Sequence, residues 1–328
     1  MVFAEQEDGK IHRVTHELLG KGGELADKLG VEVDAVLLGH GMEKEAQELV
    51  HYGADKVFLY DDPSLREFDV VRYKQNIAKL AEELKPEIFL IGATHVGRSL
   101  APRIAAALKT GLTADCIELD VGADGTLVQT RPAFSGNIMA QIKTKTRPQM
   151  ATVRYKIMKM NEKDPRRKGV VIRRKAENTV DTGTKVLEKF RADEVNVTEA
   201  EIIVSGGKGL KKPEDFRLLE ELAEALGAVV GSSRPLVDAG WISKEHQVGF
   251  SGNTVKPRVY IACGISGSPQ HLFGMRDSDI ILAINMDPSA PIFTVSDYCV
   301  IGDVYKVLPA LIEEIKKEAK RRIQDENR

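Results

Sequence analysis

Short β-branched runs alternate with amphipathic stretches along the first half of the chain. Val31 to Gly39, Lys56 to Tyr60, Glu87 to Gly92 and Ala114 to Val121 read as strands, with Val71 to Leu84 and Arg98 to Leu108 as helical patterns between them. That alternation predicts a parallel sheet with helices on both faces. After Gly125 the pattern turns extended, in TLVQTRPAF and NIMAQIKTKTRPQMATVRY, and these segments are expected to add antiparallel strands. From Lys159 to about Glu194 charge dominates around the apolar step Gly169 to Ile172, which reads as a solvated linker between two domains, 1–190 and 191–328.

A second alternation starts at the strand EIIVSGG. Phe216, Leu219, Leu222, Ala223 and Leu226 make one apolar helix face that Pro213 opens and Gly227 closes. AVVGSS, RVYIACG, DIILAINMD and DYCVIGD follow as strand-like segments, each ending in Gly, Ser or Asp, before a closing helix with Leu308, Leu311, Ile312 and Ile315 on one face. The expected fold class is therefore α/β, two doubly wound parallel-sheet domains.

Composition narrows the function classes by exclusion. With 328 residues, 42% hydrophobic, 29% charged and a formal charge of -2, the chain has no global pull toward nucleic acid or membrane. The basic run Arg166 to Lys175 lacks interleaved aromatics and is flanked by Glu162, Asp164, Glu177 and Asp181, so nucleic-acid binding is not expected. No run is long enough to insert in a membrane, and a cytoplasmic location is expected. MVFAEQ reads as a core strand with no lead-in, so a few residues before Met1 are expected in related chains. Cys116, Cys263 and Cys299 are far apart and read as reduced structural thiols. No nucleophile lies beside a base, no carboxylates pair at a catalytic spacing and the histidines are scattered, so neither a hydrolase nor a metalloenzyme is expected.

The strand ends of the second half carry the chemistry. SGGKGLKKP, GSSRPLVDAG, GISGSPQHL, INMDPSAPIF and IGD offer glycines, hydroxyls, an arginine, a lysine, a histidine and carboxylates where open α/β sheets bind ligands. In GISGSPQHL, Gly264 and Gly267 free the backbone, Ser266 and Ser268 can donate, and Pro269 is placed to start a helix. Strand-to-helix turns are often glycine-rich for geometry alone, and this turn by itself leaves ligand binding and geometry about even. An arginine such as Arg234 is more often a surface ion pair.

Taken in order, GSSRPLVDAGW, HQVGFSGNTVKP, YIACGISGSPQHLFGM, AINMDPSAPIF and IGD resemble the FAD-binding signature of electron-transfer flavoprotein alpha subunits. FAEQ, ELADKLG and GATHVGRSLAPRIAAAL resemble that family's N-terminal domain, which looks like a nucleotide hydrolase but holds no ligand of its own. The resemblance implies an FAD-binding C-terminal domain and a heterodimer with a beta subunit. It implies Arg234 against the flavin ring and Ser233 near the pyrophosphate. It implies Ser251, within Val248, Gly249, Phe250 and Ser251, near flavin N5. Gln270 and a protonated His271 fall at the ring, with Ser266, Gly267, Ser268 and Pro269 in the turn before them. Asn285, Asp303 and Val304 fall on the adenosine side. Lys208 stands where the family often has arginine, keeping the charge but losing the bidentate fork.

The implied function is an electron carrier linked to an acyl-CoA dehydrogenase, as in fatty acid β-oxidation. HQVGFSG and GISGSPQH look more like the branch that works with NADH and ferredoxin in electron bifurcation. The alternatives are a non-bifurcating carrier to a membrane quinone oxidoreductase and a nucleotide-sensing module. A pyridine-nucleotide dehydrogenase would show GxGxxG after an early strand, and none is so placed. In the first half, Thr94, His95 and Arg98 are expected near the partner's nucleotide, while Arg131 in TRPAF reads as a structural ion pair.

Overall fold

A computed structural model of the chain describes residues 1–133, 138–177, 183, 186 and 196–326, and the chain divides into units 1–189 and 190–328. The first unit contains β1 (Val2–Ala4), β2 (Gln6–Glu7), β3 (Lys10–Ile11), α1 (Arg13–Leu29), β4 (Asp34–Gly39), α2 (Glu43–His51), β5 (Lys56–Asp61), α3 (Val70–Leu84), β6 (Ile88–Gly92) and α4 (His95–Ala107). It continues with β7 (Leu112–Cys116), β8 (Glu118–Val121), β9 (Leu127–Ala133), β10 (Ile138–Ile142), β11 (Gln149–Val153) and β12 (Val170–Arg173). Seven of these strands form a parallel sheet ordered β12-β5-β4-β1-β6-β11-β7, and β10-β9-β8 form a separate antiparallel sheet.

Helix ends follow from local chemistry. The Asp69 carboxylate accepts from the amides of Val71 and Arg72 at 2.9 and 3.1 Å and starts α3, while Gly30 at φ 66° closes α1. Strand alternation then builds two cores on one sheet. Val2, Ala4, Ala35, Leu37, Val57, Leu59 and Leu90 point into the layer with α1 and α2. Phe3, Val36, Leu38, Phe58, Phe89 and Ile91 point into the layer with α3 and α4.

The second unit contains β13 (Ile202–Gly206), α5 (Phe216–Leu226), β14 (Val229–Ser233), α6 (Arg234–Asp238), β15 (Gln247–Val248), β16 (Val259–Cys263), α7 (Pro269–Met275), β17 (Ile280–Asn285), β18 (Tyr298–Ile301) and α8 (Val304–Glu326). Its six strands are all parallel, in the order β15-β14-β13-β16-β17-β18. Val204, Ile261, Cys263 and Ile284 pack under α5 and α8, and Ile203, Tyr260, Ala262 and Ala283 pack on the other face with Met275 of α7. Two parallel sheets with helices on both faces are the architecture the alternation predicts.

Three expectations are corrected. Ala114 to Val121 is not one strand: β7 is irregular at Asp115, whose φ is 62° and whose carboxylate holds Arg154 at 2.6 Å, and the run breaks at Ile117, so β7 stays in the parallel sheet and β8 leaves it. Gln149–Val153 is not an antiparallel addition. Its residues are all buried, and it inserts between β6 and β7 in parallel. The segment after Lys159 is not simply a linker, because Val170–Arg173 adds β12 beside β5 and ion pairs Arg167–Asp55, Arg173–Glu43 and Arg174–Glu83 fasten it there. The rest of that expected linker, from 178 onward, lies largely outside the described residues.

Glu5 follows β1 and is buried, with the Thr94 hydroxyl donating to its carboxylate at 2.6 Å. Burial pushes its carboxyl up from 4.5 to about 7, the Thr94 hydrogen bond opposing. The native state therefore holds a proton there that the unfolded chain releases, and stability is lost as pH rises from about 4.5 through about 7. Glu5→Gln keeps an acceptor for Thr94 without the charge. It is expected to leave stability near wild type at pH 5 and to raise it by roughly 2–3 kcal/mol at pH 8, read by denaturant unfolding at both pH values.

Candidate functional site

Because every strand of the second sheet runs the same way, Gly206, Ser233, Val248, Cys263, Asn285 and Ile301 end along one edge. Strand order reverses between β13 and β16, so the chain leaves these neighbours in opposite directions, the position at which open α/β sheets take ligands. Every residue that the resemblance nominates sits at this edge. Lys208 follows β13, Ser233 and Arg234 join β14 to α6, and Val248 to Ser251 follow β15. Ser266 to His271 follow β16, Asn285 ends β17, and Asp303 and Val304 follow β18.

The loops are zipped by backbone hydrogen bonds. Gly207 and Gly209 amides donate to the carbonyls of Cys263 and Gly264 at 3.0 and 2.9 Å, and the Ile292 amide donates to Ser266 at 3.0 Å. A Cβ on Gly209 would fall 2.6 Å from the Gly264 Cα, and one on Gly267, at φ 89°, 2.3 Å from the Ile292 nitrogen. Only glycine permits that approach. Asn285 Nδ2 donates to the Ile265 carbonyl at 2.9 Å and its Oδ1 accepts from Asp287, so this side chain fixes two loops to each other. The Asp303 carboxylate accepts from the Tyr305 amide at 3.0 Å at the start of α8.

The loop after β15 is held just as closely. Phe250 donates its amide to the Gln270 carbonyl at 2.8 Å, and a Cβ on Gly274 would fall 2.5 Å from the Gly249 backbone. The Phe250 ring is exposed and meets Phe273 edge-on at 5.1 Å. Ser251 Oγ accepts from Gln247 Nε2 at 3.1 Å. Val248 and Val304 bury their side chains in the two cores, so only their backbone is available to a ligand.

Two nominated residues have settings that spacing alone does not give. His271 is neutral at neutral pH, because burial pushes its imidazole down from 6.5 to about 4; the Val248 carbonyl beside it opposes the shift without making a well-formed hydrogen bond to Nδ1. Arg234 is exposed and pairs with Asp238 at 3.1 Å, one turn along α6, the surface ion pair that its sequence context favours.

Sequence reasoning passed over Tyr260, whose hydroxyl lies 3.1 Å from His271 Nε2; at an inward strand position it reads as core. It also passed over Asp215, whose carboxylate accepts from the amides of Lys211 and Lys212 at 3.0 Å and from Tyr305, tying down the loop that carries Lys208.

Lys208, Ser266 and Ser268 are exposed beside this close-packed backbone, polar groups of the kind a phosphate-bearing molecule meets. Family models match both parts of the chain, the electron transfer flavoprotein domain over residues 1–179 and the electron transfer flavoprotein FAD-binding domain over residues 196–276. The chain belongs to the electron-transfer flavoprotein alpha-subunit family. It is 53% identical to the electron transfer flavoprotein subunit alpha of Thermoanaerobacterium thermosaccharolyticum, over 96% of this chain and 97% of that protein. The subunit alpha of Megasphaera elsdenii is 50% identical over 97% of this chain and 96% of its own length. A subunit of the lactate dehydrogenase (NAD(+),ferredoxin) of Acetobacterium woodii is 45% identical, over 96% of this chain and 76% of its own length.

In this family member, no described helix is long and apolar enough to cross a membrane. The close packing gives a direct test. Gly209→Ala forces backbone apart and is expected to cost about 2 kcal/mol or more, whereas Lys208→Ala at the exposed neighbouring position should stay within about 0.5 kcal/mol of wild type. Equilibrium unfolding of the two variants, followed by Trp241 fluorescence, compares them; equal stabilities would show that the loops do not touch.

Proposed function

We propose that the chain binds one FAD at the strand-end edge of its C-terminal domain and carries electrons as the alpha subunit of a heterodimer. The observation that carries this reading is the order reversal between β13 and β16, with the glycine seam and the nominated side chains gathered at the strand ends beside it, where a dinucleotide's phosphates and ring can both be met. Bound FAD would supply the electron-carrying chemistry, and the side chains bind and tune it.

Ser266, Gly267, Ser233 and Lys208 would meet the pyrophosphate, and Asn285, Asp303 and the Val304 backbone the adenosine end. Arg234, Ser251, Gln270 and His271 would surround the ring, along with the Val248 to Phe250 backbone and the Ser268–Pro269 turn. With a neutral imidazole, His271 contributes an N–H donor and Arg234 the permanent charge.

The N-terminal domain, 1–190, is proposed to pack against the beta subunit, with Thr94, His95 and Arg98 near the partner's nucleotide. An acyl-CoA dehydrogenase-type flavoenzyme is the proposed redox partner. A relative from Anaerotignum propionicum, named acryloyl-CoA reductase electron transfer subunit beta and 42% identical, supports that class. The HQVGFSG pattern and the NAD(+),ferredoxin relative support bifurcation between NADH and ferredoxin. A heterodimer reconstituted with that flavoenzyme should then oxidise NADH only when ferredoxin and an enoyl-CoA acceptor are both present; NADH-independent transfer to a quinone oxidoreductase would favour the simple carrier instead.

Two variants test the flavin site. The purified heterodimer should absorb at about 450 nm, the usual flavin band. Ser266→Asp places a negative charge beside the pyrophosphate without touching the core and should weaken FAD retention at least about tenfold, roughly 1.4 kcal/mol, while Ser266→Ala should do less. Full FAD occupancy in Ser266→Asp would contradict the placement.

A cation about 4 Å from a developing anion is worth roughly 4 kcal/mol at an effective dielectric near 20, and less when exposed. Arg234→Ala should therefore lower the one-electron potential by about 60 mV, a tenfold change for one electron. Arg234→Lys should act in the same direction with a smaller shift. Spectroelectrochemical titration reads both, and unchanged potentials with FAD bound would return Arg234 to its Asp238 ion pair alone.

A further inference from the structure

The parallel sheet of the first unit gathers arginines at its strand ends. Arg154, directly after β11, is buried and grips Asp115 of β7 with its fork: Nη2 donates to one carboxylate oxygen at 2.6 Å and Nε to the other at 3.3 Å. Arg98, one turn into α4, reaches the same carboxylate at 3.6 Å and is largely exposed. Arg131 on β9 comes to the same corner, because the Ile117 amide, just past β7, donates to the Thr130 carbonyl at 2.9 Å. Arg131 is half-buried, and its Nε donates to the Pro132 carbonyl at 3.4 Å. Among the described residues it pairs with no carboxylate, so the structural ion pair expected from its sequence is not made there.

Three guanidiniums thus share this corner with one carboxylate, three positive charges against one negative. Burial alone would push the Asp115 carboxyl up, but the Arg154 hydrogen bond and the charges of Arg154, Arg98 and Arg131 hold it below the usual carboxylate range, so it stays ionised. Arg154 occupies both its oxygens. Arg147, Arg167 and Arg174 of the same unit, in contrast, each pair with an acid of their own, Glu87, Asp55 and Glu83. Asp115 is also held at φ 62°, a left-handed conformation that costs energy in a residue with a side chain and persists only where its surroundings enforce it. Glu5 already fills the start of α4 through Thr94, so an arriving anion would be met by side chains and not by helix amides.

We propose that Arg98 and Arg131, backed by the Asp115–Arg154 pair, bind the phosphate of a nucleotide at the strand ends of the N-terminal domain. Asp115 and Arg154 are positioning residues: their fork saturates both, and the carboxylate steers Arg98 toward the corner. A surplus of two guanidiniums suits a group of about two negative charges, a phosphate monoester or a pyrophosphate. A single partner carboxylate would leave one cation of the corner unanswered. The proposal deepens, and rests on, the reading that sets Arg98 near the partner's nucleotide. Two sources supply the same phosphate chemistry, a nucleotide resident in the beta subunit and soluble NADH.

Arg98→Ala and Arg131→Gln in the purified heterodimer test this. Arg147→Ala is the control of equal charge change, since Arg147 and Glu87 precede β11 and β6 at the opposite strand ends. NADH oxidation with a dye acceptor gives KM, and acid extraction after dialysis gives the nucleotide retained beyond one FAD per heterodimer. Both variants should weaken one of these affinities by about tenfold, the loss of one charge-assisted hydrogen bond, while the control matches wild type. Lower retained nucleotide identifies the resident source; a raised KM at full retention identifies soluble NADH. Unchanged KM and retention overturn the proposal. So does looser heterodimer assembly with both readouts unchanged, which would give the arginines to carboxylates of the partner protein. A wild-type heterodimer that shows the flavin band yet neither retains a further nucleotide nor oxidises NADH overturns it too and leaves the FAD reading standing. Loss of the flavin band from wild type sinks the FAD reading, while nucleotide retention still decides this one.

Discussion

Gly209 and Gly264 come so close that neither has room for a side chain, and their approach is enforced by the order reversal of the second sheet. Parallel strands β13 and β16 must lie side by side while their continuations leave in opposite directions. The loops therefore meet only at the strand ends, joined through the Gly207 and Gly209 amides and the carbonyls of Cys263 and Gly264. The remaining loops are positioned from that seam. Gly264 donates to Ile284, Asn285 ties the loop after β17 to Ile265, and Tyr305 reaches back to Asp215 at the end of the 207–212 loop. Loss of the seam would free every loop at these strand ends.

The same edge separates groups that hold the site from groups that face it. Asn285 and Asp215 spend polar atoms on neighbouring loops, and Asp303 and Gln247 on their own segments. Lys208, Arg234 and Ser266 are exposed, and His271 is buried with one nitrogen held and one unmet. In the first unit the equivalent reversal lies between β1 and β6, and there the Glu5 carboxyl is bonded to Thr94 at the start of α4, in the position where an anion would otherwise meet the helix.

The strands with apolar residues on both faces were legible because periodicity and burial agree, as in Phe3, Leu37, Phe89, Ile261 and Ile284. The five spaced glycine and hydroxyl motifs were legible because parallel strands bring their ends to one edge whatever the loops between them do. What the pattern could not carry was pairing. MATV reads equally well as an edge or a central strand, and only its insertion between β6 and β7 decides. Val170–Arg173 is surrounded by charge, yet those charges are the ion pairs that hold it beside β5. The state of His271 was illegible for a similar reason: its neutrality is set by burial, which spacing does not reveal.

Hydrogen–deuterium exchange of the heterodimer, with FAD bound and after its removal, tests the central claim most directly, because it reports where the cofactor covers backbone amides. The account predicts that FAD slows exchange in 207–212, 249–252, 264–271, 286–291 and 302–304, the segments at the ends of β13, β15, β16, β17 and β18. Protection confined to residues 1–177, or absent from both sides of the Gly209–Gly264 seam, would contradict it.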